Sequence, residues 1–183
     1  MVNATAIDAS SFAGVAAEVR SRARRVRLVL TDCDGVLTDG TVYCSAYGEE
    51  MIRFSRRDGH GVERLRAAGL DVGIVSREAS EIVVRRAEKL GIRELHIGVS
   101  EKGPLVDEIA RGRGLTLGEV AFVGDDLPDL PALRAAGLAA CPADALASVR
   151  AEAHYVCLVP GGHGAFREVV ELVLFAREPA NGS

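Results

Sequence analysis

From Val26 onward the chain alternates short apolar runs with amphipathic segments, and this alternation limits the fold more than any other feature. The apolar runs are 26–31, 71–75, 95–99, 120–123, 138–141 and 155–159. Each has the length of a buried strand. Between them, 62–67, 80–90, 105–111, 130–135, 145–150 and 165–176 carry apolar residues at helical spacing. Strands that are apolar at nearly every position, instead of every second one, must be buried on both faces. The pattern therefore predicts an α/β fold: a Rossmann-like, doubly wound parallel sheet covered by helices on both sides. Gly69, Gly91, Gly114 and Gly137 stand at the ends of helical segments, where a left-handed residue is expected. One stretch breaks the rhythm. Residues 41–44 and 51–54, around Ser45-Ala-Tyr-Gly48, predict a β-hairpin inserted after the first strand.

The 183 residues suffice for one domain with a full core. We place it at 26–177, after an Ala- and Arg-rich arm or helix at 1–25 and before a polar tail at 178–183. The apolar stretch 12–19 is short and its arginines follow it, so it lacks the form of a secretory signal. The net charge of −4 and the absence of Trp argue against a nucleic-acid partner. No apolar run reaches the roughly 20 residues of a membrane span. The four cysteines, Cys33, Cys44, Cys141 and Cys157, form no C-x-x-C pair. That spacing points to reduced thiols in a cytoplasmic protein. Only Lys89 and Lys102 are lysines among 22 Lys and Arg residues.

In doubly wound sheets, ligands bind at the carboxyl ends of the strands. After the first run come Asp32-Cys-Asp34-Gly35-Val-Leu-Thr38-Asp39-Gly40; after the second, Ser76; after the fourth, Gly124-Asp125-Asp126 with Asp129 beyond. Lys102 opens the helix that follows the third run. Several carboxylates at one edge repel each other unless a cation joins them. Hard oxygen ligands suit Mg²⁺. A metal and Lys102 together would neutralise an incoming phosphate, one Asp could attack phosphorus, and a second could move the proton. Each piece also has a plainer reading by itself. Asp-x-Asp-Gly opens calcium loops, but the twelfth position here is Tyr43 where such a loop needs Glu. Ser76 alone reads as a helix N-cap, Gly-Asp-Asp as a turn and Lys102 as a surface lysine. Their order, each at a strand end, favours a single site.

Asp32-x-Asp34-Gly-Val, Ser76, Lys102 and Gly124-Asp125-Asp126-x-x-Asp129 resemble the four motifs of the haloacid dehalogenase phosphatase superfamily, over about Val26 to Ala176. The resemblance implies Asp32 as nucleophile and Asp34 as general acid/base. It implies Ser76 and Lys102 as phosphoryl-holding groups. Mg²⁺ would be bound by Asp32, the Asp34 carbonyl and Asp125, with Asp126 and Asp129 orienting them. Relatives that carry Thr two residues after the nucleophile are ion pumps; Asp at that place resembles the phosphatases and mutases.

Larger members insert a cap domain. Here 44 positions from Asp32 to Ser76 and 23 from Lys102 to Asp125 leave no room for one. That count disfavours a phosphomutase, whose relatives are capped, and it leaves the site open. The intact motifs disfavour a catalytically silent regulatory module. The stretches 32–40, 54–59, 123–126 and 161–168 resemble capless sugar-acid phosphatases acting on 3-deoxy-octulosonate 8-phosphate (KDO 8-phosphate) and nonulosonate 9-phosphates. Those relatives form homotetramers in which hairpins meet and a neighbouring subunit covers each site. The KDO enzymes typically read Thr-Gly-Arg at the second motif, where this chain reads Ser76-Arg77-Glu78. In the branch acting on 2-keto-3-deoxynononate 9-phosphate (KDN 9-phosphate) the third position is Glu, paired with a Lys eleven residues on. That Lys is Lys89 here, and eleven residues is about three helical turns. The macrodipole alone would also favour Glu early and Lys late in a helix. Arg86 is the candidate for the substrate carboxylate. His163 stands where the KDO enzymes usually carry Arg, either against substrate or facing solvent. The expected reaction is Mg²⁺-dependent hydrolysis of a nonulosonate 9-phosphate such as KDN 9-phosphate, with KDO 8-phosphate as the alternative.

Overall fold

The computed structural model describes residues 9–178. Along the chain, helix α1 (Ala17–Arg25) leads into strand β1 (Leu28–Thr31) and a hairpin of β2 (Thr38–Ser45) and β3 (Gly48–Phe54). Then follow α2 (Arg56–Ala67), β4 (Asp71–Val75), α3 (Glu81–Leu90), β5 (Glu94–His96), α4 (Lys102–Gly112), β6 (Val120–Val123), α5 (Leu130–Ala135), β7 (Leu138–Cys141), α6 (Ala147–Glu152), β8 (Tyr155–Val156) and α7 (Ala165–Arg177). Six strands form one parallel sheet in the order β5-β4-β1-β6-β7-β8. The hairpin β2–β3 is a separate antiparallel pair.

The strands explain the continuous apolar runs. In β1, Leu28 and Leu30 join one core cluster and Val29 the other. β6 divides Val120 and Phe122 from Ala121 and Val123 in the same way. The strand period of two points alternate residues to opposite faces, and both faces are covered. One cover is made by α1, α2, α3 and α7, the other by α4, α5 and α6. The strand order reverses between β1 and β6, which creates a switch-point crevice at their carboxyl ends.

Some boundaries differ from the pattern. Helix α2 starts at Arg56, six residues before the expected segment, with Ser55 accepting the Arg57 N–H as N-cap. Gly59 and Gly61 obscured its periodicity. They are there for close packing: a Cβ on Gly59 would lie 2.8 Å from Arg86 Nη2, and one on Gly61 3.3 Å from Arg167 Cα. The last strand stops at Val156, because the N–H groups of Leu158 and Val159 donate to the buried Glu168 carboxylate. Gly69, Gly91 and Gly114 have left-handed backbones, whereas Gly137 does not. A Cβ there would lie 2.5 Å from the Gly118 carbonyl oxygen, so Gly137 serves close approach, not helix capping.

In the N-terminal segment, α1 packs Ala23 into the core, and Phe12 is buried against Phe175 at 5.7 Å between ring centroids. Residues 1–8 of the expected arm and 179–183 of the expected tail lie outside the described residues. Among the described residues, no helix is long and apolar enough to cross a membrane.

Candidate active site

Asp32 follows β1 directly, and its N–H donates to the Val123 carbonyl at 2.8 Å, extending the ladder by one residue. The chain then turns tightly, with the N–H groups of Leu37 and Thr38 both donating to the Cys33 carbonyl. Gly35 makes the turn possible. Its φ is +79°, and a Cβ would sit 2.1 Å from Asp125 Oδ2. The turn leaves Asp34 with Thr38 Oγ1 at 3.5 Å from one oxygen and Ser76 Oγ at 3.5 Å from the other. Ser76, at the end of β4, also accepts the Glu78 N–H at 3.2 Å.

Lys102 is the electrostatic pivot. It is 1% exposed, and its ammonium lies 2.9 Å from Asp32 Oδ1 and 2.6 Å from Asp129 Oδ1. Burial works to lower its pKa, but the two carboxylates outweigh this and raise it. Asp129 has both oxygens engaged: Oδ1 with Lys102, Oδ2 with the N–H groups of Asp125 at 2.9 Å and Asp126 at 3.3 Å. It thereby ties the loop after β6 to the lysine. Asp126 is exposed and accepts the Leu127 N–H as N-cap of the next turn.

Asp32, Asp125 and Asp129 offer oxygens that all lie within 4.8 Å of one another. Three carboxylates against one ammonium leave two negative charges uncompensated. Asp125 Oδ1 is buried with no hydrogen-bond partner. Burial and the charges of Asp129 and Asp32 push the Asp125 carboxyl up to about 8. Asp32 rises to about 7 through burial and Asp129, with Lys102 opposing. An unpartnered buried carboxylate oxygen among all-oxygen donors fits a hard divalent cation. The cluster contains Asp129, which the resemblance placed outside the metal ligands, and Asp129 reaches it while already holding Lys102.

The cleft over this cluster is about 560 Å³. Asp32, Asp34, Lys102, Asp125, Asp126 and Glu78 line it, together with Arg77, Asp39, Gly40 and Asp144. Arg86 and Lys89 line a different cavity of about 280 Å³, with Phe54 and Arg56. Glu78 precedes helix α3 (Glu81–Leu90) and so shares no helical face with Lys89. Helix α3 begins at Glu81, because the bend at Ser76 and Glu78 closes before it. His163 is exposed and is not among the cleft-lining residues; its ring lies 3.0 Å from Arg53 Nη2 and 2.7 Å from the Gly161 carbonyl. Sequence reasoning missed Asp144, although it follows an apolar run, as Asp32 and Asp125 do. Asp39 lies within 32–40, and nothing in its sequence context distinguishes it from a turn residue.

Residues 59–137 match the family profile of haloacid dehalogenase-like hydrolases. The chain is 37% identical over 183 residues to the 3-deoxy-D-manno-octulosonate 8-phosphate phosphatase of Yersinia pestis, covering all of this chain and 97% of that protein. The crystal structure of the Yersinia pestis phosphatase superposes with a TM-score of 0.89 at 38% identity, over 94% of each chain. The Moraxella catarrhalis phosphatase, solved with magnesium ion, phosphate ion and KDO, superposes with a TM-score of 0.85 at 35% identity, over 87% of this chain and 92% of that one. Identity at this level over the full length, on the same fold and with the four motifs meeting at one crevice, settles the classification: the chain belongs to the capless 3-deoxy-D-manno-octulosonate 8-phosphate phosphatase family, phosphomonoesterases of the haloacid dehalogenase superfamily.

Proposed function

We propose that the chain hydrolyses KDO 8-phosphate to KDO and phosphate. The full-length likeness to phosphatases of that substrate carries the reading. In the proposed reaction Asp32 attacks phosphorus, the ester P–O bond breaks, and Asp34 gives its proton to the leaving oxygen. Lys102 and Ser76 hold the phosphoryl oxygens. Both close contacts of Asp32, from Cys33 N–H and Lys102, fall on Oδ1, which leaves Oδ2 for the attack. Asp34 then takes a proton from water, whose oxygen displaces Asp32 from phosphorus and restores both carboxyls. Mg²⁺, held by Asp32, the Asp34 carbonyl and Asp125, would supply positive charge to the carboxylates and the phosphoryl oxygens.

One observation favours a second reading. Glu78 lines the cleft at the position where KDO enzymes carry Arg, which supports a nonulosonate 9-phosphate such as KDN 9-phosphate. Steady-state kinetics on both sugar-acid phosphates decide between them, with Mg²⁺ and with chelator. We expect kcat/KM to favour KDO 8-phosphate by at least about ten-fold, and chelator to remove activity that Mg²⁺ restores. A reversed preference assigns the chain to the second reading. Activity that survives chelation contradicts the metal.

We further propose that a second copy of the chain covers the open cleft, within a homotetramer. The hairpin supports this: Tyr47 is 98% exposed, and Tyr43 and Met51 are more than half exposed. A ridge of large exposed side chains of this kind suits docking against another chain. Arg86 and Lys89 share no cavity with their own chain's cleft, so we assign them to the substrate carboxylate in a neighbour's cleft. Solution mass should correspond to four chains. Tyr47→Glu with Met51→Glu should lower the mass and raise KM; a wild-type monomer of full activity would refute the arrangement.

A further inference from the structure

The C-terminal glycine loop grips the rim of the cleft through contacts that phosphoryl transfer does not itself require. Gly162 N–H donates to the Val36 carbonyl at 2.9 Å. A Cβ on Gly161 would lie 1.8 Å from the Gly35 carbonyl oxygen, and one on Gly162 2.4 Å from Asp39 N. Gly161 N–H donates to Asp144 Oδ1 at 2.9 Å. The loop is thus pressed against the turn that carries Asp34.

His163 completes the grip from this loop. A carbonyl oxygen only accepts, so the 2.7 Å contact to Gly161 puts the ring proton on Nδ1. Nε2 of the neutral ring is then an acceptor, and Arg53 Nη2 donates to it at 3.0 Å. Arg53, on β3, also donates from Nε to Asp39 Oδ2 at 2.8 Å. Asp39 in turn accepts the Thr41 N–H at 3.1 Å. Between these anchors lies Thr38. Its hydroxyl accepts from Gly35 N–H at 3.3 Å and Gly40 N–H at 3.1 Å, and faces Asp34 Oδ1 at 3.5 Å, a long contact that would shorten as the carboxyl turns toward it.

We propose that Arg53 and His163 are positioning residues for Asp34. The clasp His163–Arg53–Asp39 holds the turn at 38–40, the turn aims the Thr38 hydroxyl, and that hydroxyl fixes the Asp34 carboxyl for proton delivery to the leaving oxygen. This inference rests on the general-acid role assigned to Asp34 above. It does not depend on which sugar acid is the substrate.

The test is the leaving-group dependence of kcat/KM, which reports steps up to departure of the alcohol. An alkoxide needs the proton from Asp34, whereas a nitrophenolate leaves without it. In the full-length chain with Mg²⁺, His163→Ala and Arg53→Ala should each lower kcat/KM on the best sugar phosphate by about ten-fold. On p-nitrophenyl phosphate the loss should stay below about two-fold. The double variant should lose little more than either single one, because both act through one clasp. Thr38→Val should show the same selectivity between substrates. Arg53→Lys, which replaces the two separate guanidinium donors to Asp39 and His163 with a single ammonium, should fall between wild type and Arg53→Ala and serves as the second variant if Arg53→Ala misfolds by circular dichroism. Equal losses on both substrates, or no loss, in folded variants would overturn the proposal. Asp34→Asn on the same two substrates isolates the underlying reading. If it shows no leaving-group selectivity, the acid assignment fails; if it shows selectivity and the clasp variants do not, only the clasp fails.

Discussion

Asp32→Asn is expected to reduce turnover by at least about four orders of magnitude while leaving the fold intact. The amide keeps the shape of the carboxylate but cannot attack phosphorus. The variant should also respond differently to pH when metal is chelated. Burial and Asp129 raise the Asp32 carboxyl from 3.8 to about 7. The folded state therefore binds this proton more tightly than the unfolded state does, and stability must fall as pH rises through the interval between those values. The effect is absent below it and complete above about 7. Asn carries no such proton. Chelated wild type should lose stability between pH 5 and pH 8, and Asp32→Asn should lose less, as read by urea midpoints at the two values. Retained turnover would remove Asp32 as nucleophile, and a steeper pH loss in the variant would contradict the electrostatic account.

Lys102→Met should be the most destabilising single change in the site. The stem of Met fills similar space, but the ammonium that lies between Asp32 and Asp129 disappears. Two carboxylates then face each other with side chains 11% and 1% exposed. Removing one partner of a buried ion pair costs about 3–5 kcal/mol, because the remaining charge is left without compensation. Adding Asp129→Asn should recover much of that loss without restoring turnover, since Lys102 is also assigned to the phosphoryl oxygens. Urea denaturation of the single and double variants, with assays of both, separates the two roles. A single variant as stable as wild type would mean that the pair contributes nothing net.

Much of this molecule was legible in the sequence. The runs 71–75, 120–123 and 138–141 coincide with β4, β6 and β7 residue for residue. Strands buried on both faces leave an uninterrupted apolar signature, and the carboxylates stand immediately beyond it. The start of α2 was hidden, because Gly59 and Gly61 look like helix breakers until α3 and α7 are seen pressing against them. Asp144 stands beyond the run 138–141 with Pro142 and Ala143 between, so its place on the cleft is not marked by an immediate strand tip. Helical spacing pairs Glu78 with Lys89 only if the helix spans both. It does not, because Ser76 turns the chain before Glu81.

Periodicity records which face of an element is buried; it does not record what lies across that face. The sequence by itself therefore determined the α/β class, the order of the elements, the missing cap and the types of group at the strand tips. Only the tertiary structure decided which of those groups meet. Lys102 and Asp129 are 27 positions apart and form the ion pair that organises the site. Arg53 and His163 are 110 apart, and their contact at 3.0 Å joins the hairpin to the C-terminal glycine loop. Such pairs are chosen by the packing of helices onto the sheet and by the fit of glycines against neighbouring backbone. Both depend on distance through space, which residue spacing along the chain does not encode.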